Sequence, residues 1–130
     1  MGKLVEIVVD ADVPSRLARF WAAAVDGYAV RPYDDDELAR LAKSGLTPET
    51  DPVVMVDGPG PTLCFQRREG PRPVRNRVHV DIAAGDRGAE VARLVGLGAA
   101  VVREAEGYTV LRDPEGNNFC VADVRIDLKA

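Results

Sequence analysis

The segment Val78-His79-Val80-Asp81 carries the only histidine of the 130-residue chain. Its alternation of apolar and polar residues predicts a strand, in which successive side chains point to opposite faces. His79 and Asp81 then share one face, and the two valines lie on the other. Imidazole is the side chain that changes charge near neutral pH. We therefore expect acid–base chemistry or ligand recognition on the face that His79 occupies.

A similar segment, Val5-Glu6-Ile7-Val8-Val9-Asp10, lies near the N-terminus. It alternates in the same phase, a helix-like segment follows it as well, and Glu6 takes the position of His79. We interpret the chain as two copies of one module in which Glu6 and His79 face a shared space. A carboxylate beside an imidazole holds one ring nitrogen and raises the basicity of the ring. Glu6 and His79 are therefore the candidate catalytic residues.

The elements around these two strands follow one order in both halves: a strand, a helix and three further strands. Pro14 is typical of the first turn of a helix, and Gly27 and Gly98 are typical of helix ends. Each passage from strand through helix to strand is a crossover connection, so we expect an α+β fold. The predicted strands cover residues 3–10, 28–33, 52–57, 62–67, 77–83, 99–103, 108–111 and 117–122, and the predicted helices begin near 12, 34 and 86.

Length and composition limit the possible classes of protein. The chain is long enough for one domain, and the segment 69–75, which contains two prolines, divides it into a first module of about 1–68 and a second of about 76–130. A net charge of −4 argues against a nucleic acid or an anionic membrane as partner. Two cysteines are too few for a disulfide framework, and we see no leader or membrane-spanning run. We expect a cytoplasmic protein.

Three stretches resemble the vicinal oxygen chelate superfamily, which contains the glyoxalase and bleomycin-resistance proteins. They are Leu17-Ala18-Arg19-Phe20-Trp21, Asn76-Arg77-Val78-His79-Val80-Asp81 and Asp113-Pro114-Glu115-Gly116-Asn117. The chain looks most similar to the small glyoxalase-like domains common in actinomycetes. The resemblance implies two tandem βαβββ modules whose mixed sheets curl into a cup. It also implies a homodimer, because superfamily members of this length usually pair.

Metal-dependent members of this superfamily place one ligand on the first strand and one on the last strand of each module. The resemblance carries these positions to Glu6, Cys64, His79 and Cys120. Zinc accepts all three of these ligand types, so a divalent metal on the quartet is one alternative. The usual last-strand carboxylates are replaced by cysteines, which commonly act as small apolar residues. We therefore expect no cofactor and no stoichiometric metal.

The polar and small side chains that share the inward face with the quartet are candidate ligand-binding residues. Asp10 and Asp81 look repeat-equivalent, and capping of the following helices is the simpler explanation for each of them. Phe20, Trp21 and Phe65 fall on the helix-packing side and are expected in the core. We predict a small-molecule-binding protein with a metal-free pocket, for sequestration or resistance; the alternative is an isomerase or lyase that uses His79 and Glu6. The predicted ligand-binding set is Val8, Asp10, Cys64, Gln66, Asp81, Asn118 and Cys120.

Overall fold

Two sheets with the same strand topology form this protein, in a computed structural model that describes residues 2–73, 76 and 78–123. Contacts divide the chain into two compact units, 1–72 and 73–130. The first unit contains β1 (Glu6–Ala11), α1 (Pro14–Ala24), β2 (Ala29–Val30), α2 (Asp35–Lys43), β3 (Val53–Asp57) and β4 (Thr62–Arg67). The second contains β5 (Asp81–Ala84), α3 (Arg87–Leu97), β6 (Ala100–Ala105), β7 (Tyr108–Arg112) and β8 (Asn118–Asp123).

The strand order is β1-β4-β3-β2 in the first sheet and β5-β8-β7-β6 in the second. In each sheet the first strand runs parallel to the last one, and the other neighbours are antiparallel. A parallel pair requires a crossover, which α1 and α3 supply. The prediction of an α+β fold with two tandem modules of mixed sheet is therefore confirmed.

The core of the first unit lies between α1 and its sheet. Leu17, Phe20 and Trp21 are 0%, 4% and 7% exposed, and the Phe20 and Trp21 rings meet edge to face at 5.2 Å. Phe65, on β4, is buried as well. The core placement predicted for the three aromatic residues is thus confirmed. Pro14 occupies the first turn of α1, where its missing N–H is not needed.

The core of the second unit is built mainly by its strands. Phe119 and Val121 of β8 and Leu111 of β7 are fully buried. From α3 only Leu94 is buried, whereas Leu97 of the same helix is 40% exposed. The second helix therefore covers its sheet less completely than the first.

Several predicted boundaries differ from the structure. β1 begins at Glu6, so Val5, which falls within the predicted strand 3–10, lies outside the observed strand and is 69% exposed. β2 has two residues in place of the predicted strand 28–33. The strand predicted for 77–83 is β5, which begins only at Asp81; Arg77, and Arg75 before it, lie outside the described residues. Strand pairing explains this shift, because ladder pairing with β8 starts where Asp81 meets Cys120.

The helix ends follow local hydrogen bonding. Asp34 accepts a hydrogen bond from the backbone N–H of Glu37 (2.8 Å), and Asp86 accepts one from Ala89 (3.0 Å). These are side-chain caps, which satisfy N–H groups that have no partner within the helix. The helix expected to begin near 12 is α1, which starts at Pro14 and has Val13 at its N-cap and no side-chain cap. Within the described residues, no helix is long and apolar enough to cross a bilayer.

The loop between β3 and β4 is shaped by Tyr28. Its hydroxyl donates a hydrogen bond to the carbonyl of Pro61 (2.9 Å). A Cβ atom on Gly58 would lie 2.5 Å from the tyrosine ring, and one on Gly60 would lie 2.7 Å from its hydroxyl. Only glycine allows this close approach. The tyrosine therefore fixes the hairpin that carries Cys64.

Candidate functional site

The parallel pair β5–β8 brings together the side chains of His79, Asp81 and Cys120. Asp81 is the register partner of Cys120. The imidazole Nδ1 of His79 lies 3.2 Å from the carboxylate Oδ1 of Asp81. One donor atom from each residue, including the thiol of Cys120, lies within 4.8 Å of the others. The face of the sheet that carries Asp81 and Cys120 is called the open face below, because the buried Phe119 and Val121 occupy the opposite face.

The backbone around His79 is held against β8 by hydrogen bonds. The N–H of Cys120 donates to the carbonyl of Val80 (3.0 Å). The side chain of Asn76 donates to the side-chain oxygen of Asn117 (3.0 Å) and accepts from the backbone N–H of Asn118 (3.1 Å). Asn76 therefore clamps the segment leading to His79 onto the start of β8.

The Asp113-Pro114-Glu115-Gly116-Asn117 motif is a folded turn that supports this clamp. Asp113 is 4% exposed and accepts hydrogen bonds from the backbone N–H groups of Glu115 and Asn117 and from the Asn117 side chain, each at 2.9 Å. The N–H of Gly116 closes the turn onto the Asp113 carbonyl (2.8 Å). The buried carboxylate thus orients Asn117 toward Asn76. The turn is recognisable in the sequence, whereas the role of Asn76 is not.

The three clustered side chains differ in their exposure. The side chains of His79 and Asp81 are 59% and 61% exposed, whereas Cys120 is half-buried. Burial raises the pKa of the Cys120 thiol, and the charge and hydrogen bond of Asp81 raise it further. The thiol is therefore protonated at neutral pH. Within the second unit, the carboxylate that lies against the imidazole is that of Asp81, two residues along the chain.

The first unit shows the equivalent positions without the same cluster. Val8 is the register partner of Cys64, as Asp81 is of Cys120. Glu6 consequently corresponds to His79, and Cys64 to Cys120, as the repeat predicts. Burial, and after it the charge of Glu6, raises the pKa of the Cys64 thiol. Where the second unit has an acid next to its cysteine, the first unit has the apolar Val8.

The predicted equivalence of Asp10 and Asp81 is wrong. Asp10 is the register partner of Gln66, two residues further along β1 than the position of Asp81 in β5. Its carboxylate accepts a hydrogen bond from the Gln66 amide (3.1 Å). Neither acid caps a helix, because α1 has Val13 at its N-cap and α3 has Asp86. A shift of two residues along a strand keeps a side chain on the same face of the sheet but places it beside different residues.

The remaining predicted ligand-binding residues lie in two places. Asn118 is on the open face, two residues from Cys120, and its backbone belongs to the Asn76 clamp. Val8, Asp10 and Gln66 are exposed on the sheet of the first unit. There, a shallow groove of about 550 Å³ is lined by Asp10, Pro52, Val53, Gln66, Arg67, Arg68 and Glu69.

Two arginines of the open face were not predicted from the sequence pattern. Arg103 of β6 is the register partner of Val110, which in turn is the partner of Cys120. Arg112 is the partner of Asn118 and so shares this face. Simple alternation along β6 does not place Arg103 here, because the strand contains a register shift between Val101 and Arg103.

The cluster in the second unit fits a divalent metal. An imidazole nitrogen, a carboxylate oxygen and a thiolate sulfur are ligand types that zinc accepts at about 2.0–2.3 Å. Donor atoms within 4.8 Å of one another can approach a single ion together. His79 and Cys120 belong to the predicted metal quartet, and Asp81 is a third donor that the sequence interpretation assigned to ligand binding alone. Among the described residues, no other group of three such side chains meets this distance.

Comparisons with known proteins agree with this architecture. The chain aligns over 95% of its length with a glyoxalase/bleomycin resistance protein/dioxygenase family enzyme from Burkholderia phytofirmans, covering 100% of that chain with 15% identity and a TM-score of 0.67. It covers 89% of a glyoxalase-related enzyme from Fulvimarina pelagi (95% of this chain, 13% identity, TM-score 0.64). It also covers 87% of the trypanothione-dependent glyoxalase I of Leishmania major (95% of this chain, 16% identity, TM-score 0.58).

At these identities the structural likenesses establish the fold alone. No curated protein matches the sequence significantly. The family described as "Glyoxalase-like domain" matches residues 6–122, which is nearly the whole chain. The chain therefore belongs to the glyoxalase-like domain family.

Proposed function

We propose that this protein binds a small molecule on the open face of the second unit, with His79 as the group that orients it. The observation that carries this proposal is the 3.2 Å contact between Nδ1 of His79 and Oδ1 of Asp81. A carboxylate at Nδ1 fixes the ring and favours the tautomer whose Nε2 accepts a hydrogen bond or a proton. A few convergent polar groups beside apolar surface are typical of small-molecule sites.

The roles of Asp81 and Glu6 differ here from those predicted from the sequence. Asp81 takes the ring-orienting role that the sequence assigned to Glu6, because its carboxylate lies next to the imidazole, two residues along the chain. Glu6 remains the corresponding residue of the first unit, and its approach to His79 stays a prediction. Sequestration of the ligand requires only this orientation, and no metal.

The proposal is tested by finding a ligand and removing its orienting group. A thermal-shift screen identifies a ligand, which is then titrated calorimetrically into the wild type, His79→Ala and Asp81→Asn. Loss of one hydrogen bond to a buried partner costs about 1–3 kcal/mol, so His79→Ala should weaken binding about fivefold or more. Asp81→Asn should weaken it less, and Asp35→Asn on α2 serves as the matched control. Equal affinities in a folded His79→Ala variant would show that His79 is structural.

A second candidate function is a metal-dependent isomerase or lyase. The observation that favours it is the convergence of donor atoms from His79, Asp81 and Cys120. These residues would hold a divalent ion, which when bound polarises a substrate oxygen as a Lewis acid. Elemental analysis after purification without chelator separates the two functions. About one metal per chain, lost in Cys120→Ala, would favour the enzyme; a metal-free protein that still binds its ligand would favour sequestration.

We also propose that the protein is a cytoplasmic homodimer. The support is β6, an edge strand on which Val101 and Val102 are 46% and 41% exposed. Exposed apolar edges favour association with another chain. Light scattering should give twice the 14.0 kDa chain mass at micromolar concentration. A mass of one chain across this range would exclude the dimer.

A further inference from the structure

A bulge in β6 turns Arg103 toward the open face. Val101 is the partner of Leu111, and the next pair is Arg103 with Val110, so Val102 is an extra residue. Without this insertion, Arg103 would stand opposite Thr109, which is buried on the helix side. Bulges commonly redirect a side chain near a functional site. Here the bulge places a cation in one row with Val110, Cys120 and Asp81 across the sheet.

Arg112 is the diagonal neighbour of Arg103 on the same face. It lies two residues from Val110 on β7, and diagonal neighbours have Cα atoms roughly 7–8 Å apart. Both arginines are exposed, and within the part of the chain that the structure describes neither forms an ion pair with a carboxylate. The guanidinium carbon of Arg103 lies 5.6 Å from the centre of the Tyr108 ring, which supports it from one side.

Between these arginines and the imidazole, the open face carries Val110 and Cys120 in the row of Arg103, Asn118 beside Arg112, and the exposed Asp81 next to His79. Val110 is the apolar residue at its centre, and Ala122 and Ala105, which flank Tyr108, lie on the far side of Val110 from Arg112 and Asn118. The row from Asp81 to Arg103 spans three strand spacings, which is roughly 14 Å. A guanidinium recognises a carboxylate through two parallel hydrogen bonds. Such a surface suits a ligand with an anionic end, an apolar body and a polar end near the imidazole.

We propose that the open face takes a small organic anion, a carboxylate, which Arg103 and Arg112 bind while its other end points toward His79. This inference rests on the proposed function and names the chemical class of its ligand. Arg103 and Arg112 then determine specificity, and His79 orients the part of the ligand that lies furthest from the charge.

The test compares a carboxylate with its neutral analogue. Sodium benzoate and benzamide are titrated into ¹⁵N-labelled protein at constant ionic strength, and backbone amide shifts are followed. Benzoate should shift the amides of Arg103, Val110 and Arg112 in a saturable manner, and benzamide should bind about tenfold more weakly, or about 1.4 kcal/mol. Arg103→Gln and Arg112→Gln should each weaken benzoate binding about tenfold. Arg40→Gln removes the same charge from α2 and should leave the affinity unchanged.

The possible results distinguish failure of this inference from failure of the proposed function. Equal binding of benzoate and benzamide at the open face, or benzoate binding that both arginine variants retain, would overturn the anion assignment while the site remains. Weakening by Arg40→Gln as large as by Arg103→Gln would also overturn it, since net charge alone would then explain the affinity. If benzoate shifts no amide of the open face while a screened ligand still depends on His79, the inference fails alone. If that dependence is absent as well, the proposed function fails with it.

Discussion

The two units share one strand topology but differ in how much of the helix is buried and in the side chains at equivalent strand positions. α1 buries seven of its eleven residues against the first sheet, whereas α3, of equal length, buries Leu94 alone. At the equivalent strand positions the first unit has Glu6 and Val8, and the second has His79 and Asp81. The difference shows that one copy of a repeated fold provides most of the packing, while the other places chemically active groups on an accessible sheet face.

The largest effect should come from truncating the helix that carries the packing. Leu17→Ala in α1 removes a side chain that is 0% exposed, and such changes cost about 2–5 kcal/mol. Leu97→Ala in α3, at 40% exposure, should cost less than about 1 kcal/mol. Urea denaturation of both variants measures the contrast. Equal losses of unfolding free energy would contradict the difference in packing between the two helices.

Glycine-to-alanine substitutions in the two units should change stability in opposite directions. Gly58→Ala in the first unit would force Cβ to within 2.5 Å of the Tyr28 ring, and overpacking of this kind costs about 1–3 kcal/mol. Gly96→Ala in α3 meets nothing within 4 Å and should stabilise the protein by up to about 1 kcal/mol, because alanine favours helix. Thermal unfolding gives the sign of each change. A stabilised Gly58→Ala variant would refute the close packing of this loop.

Removing the Asn76 clamp should cause an intermediate loss of stability. Asn76→Ala removes one side-chain donor and one acceptor, each bonded to the start of β8. The expected cost is about 1–2 kcal/mol, with a change in the NMR shifts of the His79 ring. Asn118→Ala is the matched control, because Asn118 contributes its backbone N–H to the clamp. Unchanged imidazole shifts in Asn76→Ala would mean that the clamp does not position the histidine.

The smallest loss of stability is expected from removing a surface ion pair of the first unit. Arg31 and a hydrogen bond from Thr62 lower the pKa of Asp57. The carboxylate therefore stabilises the fold above its unfolded-state pKa of about 3.9, and this contribution is lost as pH falls through the lower folded-state value. Both partners are more than 40% exposed, so Asp57→Asn should cost at most about 1 kcal/mol at pH 7. The same loss at pH 2 would contradict this origin.

Local patterns were sufficient for the fold but not for the whole site. Period-two alternation and the glycine and proline positions located both crossovers and the correspondence of Glu6 with His79. Alternation could not reveal the β6 bulge, because an inserted residue changes the face of everything after it, and Arg103 was therefore missed. Asn76 was missed because its partner Asn117 is 41 residues away. Asp10 was matched to Asp81 by residue type, although strand register matches Val8 to Asp81.

The most direct test of this division of roles compares equivalent positions in the two units. A ligand identified by thermal shift is titrated into His79→Ala and into Glu6→Ala, with the folded state of each variant verified by circular dichroism. We expect about fivefold or greater weakening for His79→Ala, from the loss of a hydrogen bond of about 1–3 kcal/mol, and a clearly smaller change for Glu6→Ala. Equal losses, or a larger loss for Glu6→Ala, would contradict the assignment of ligand recognition to the second unit.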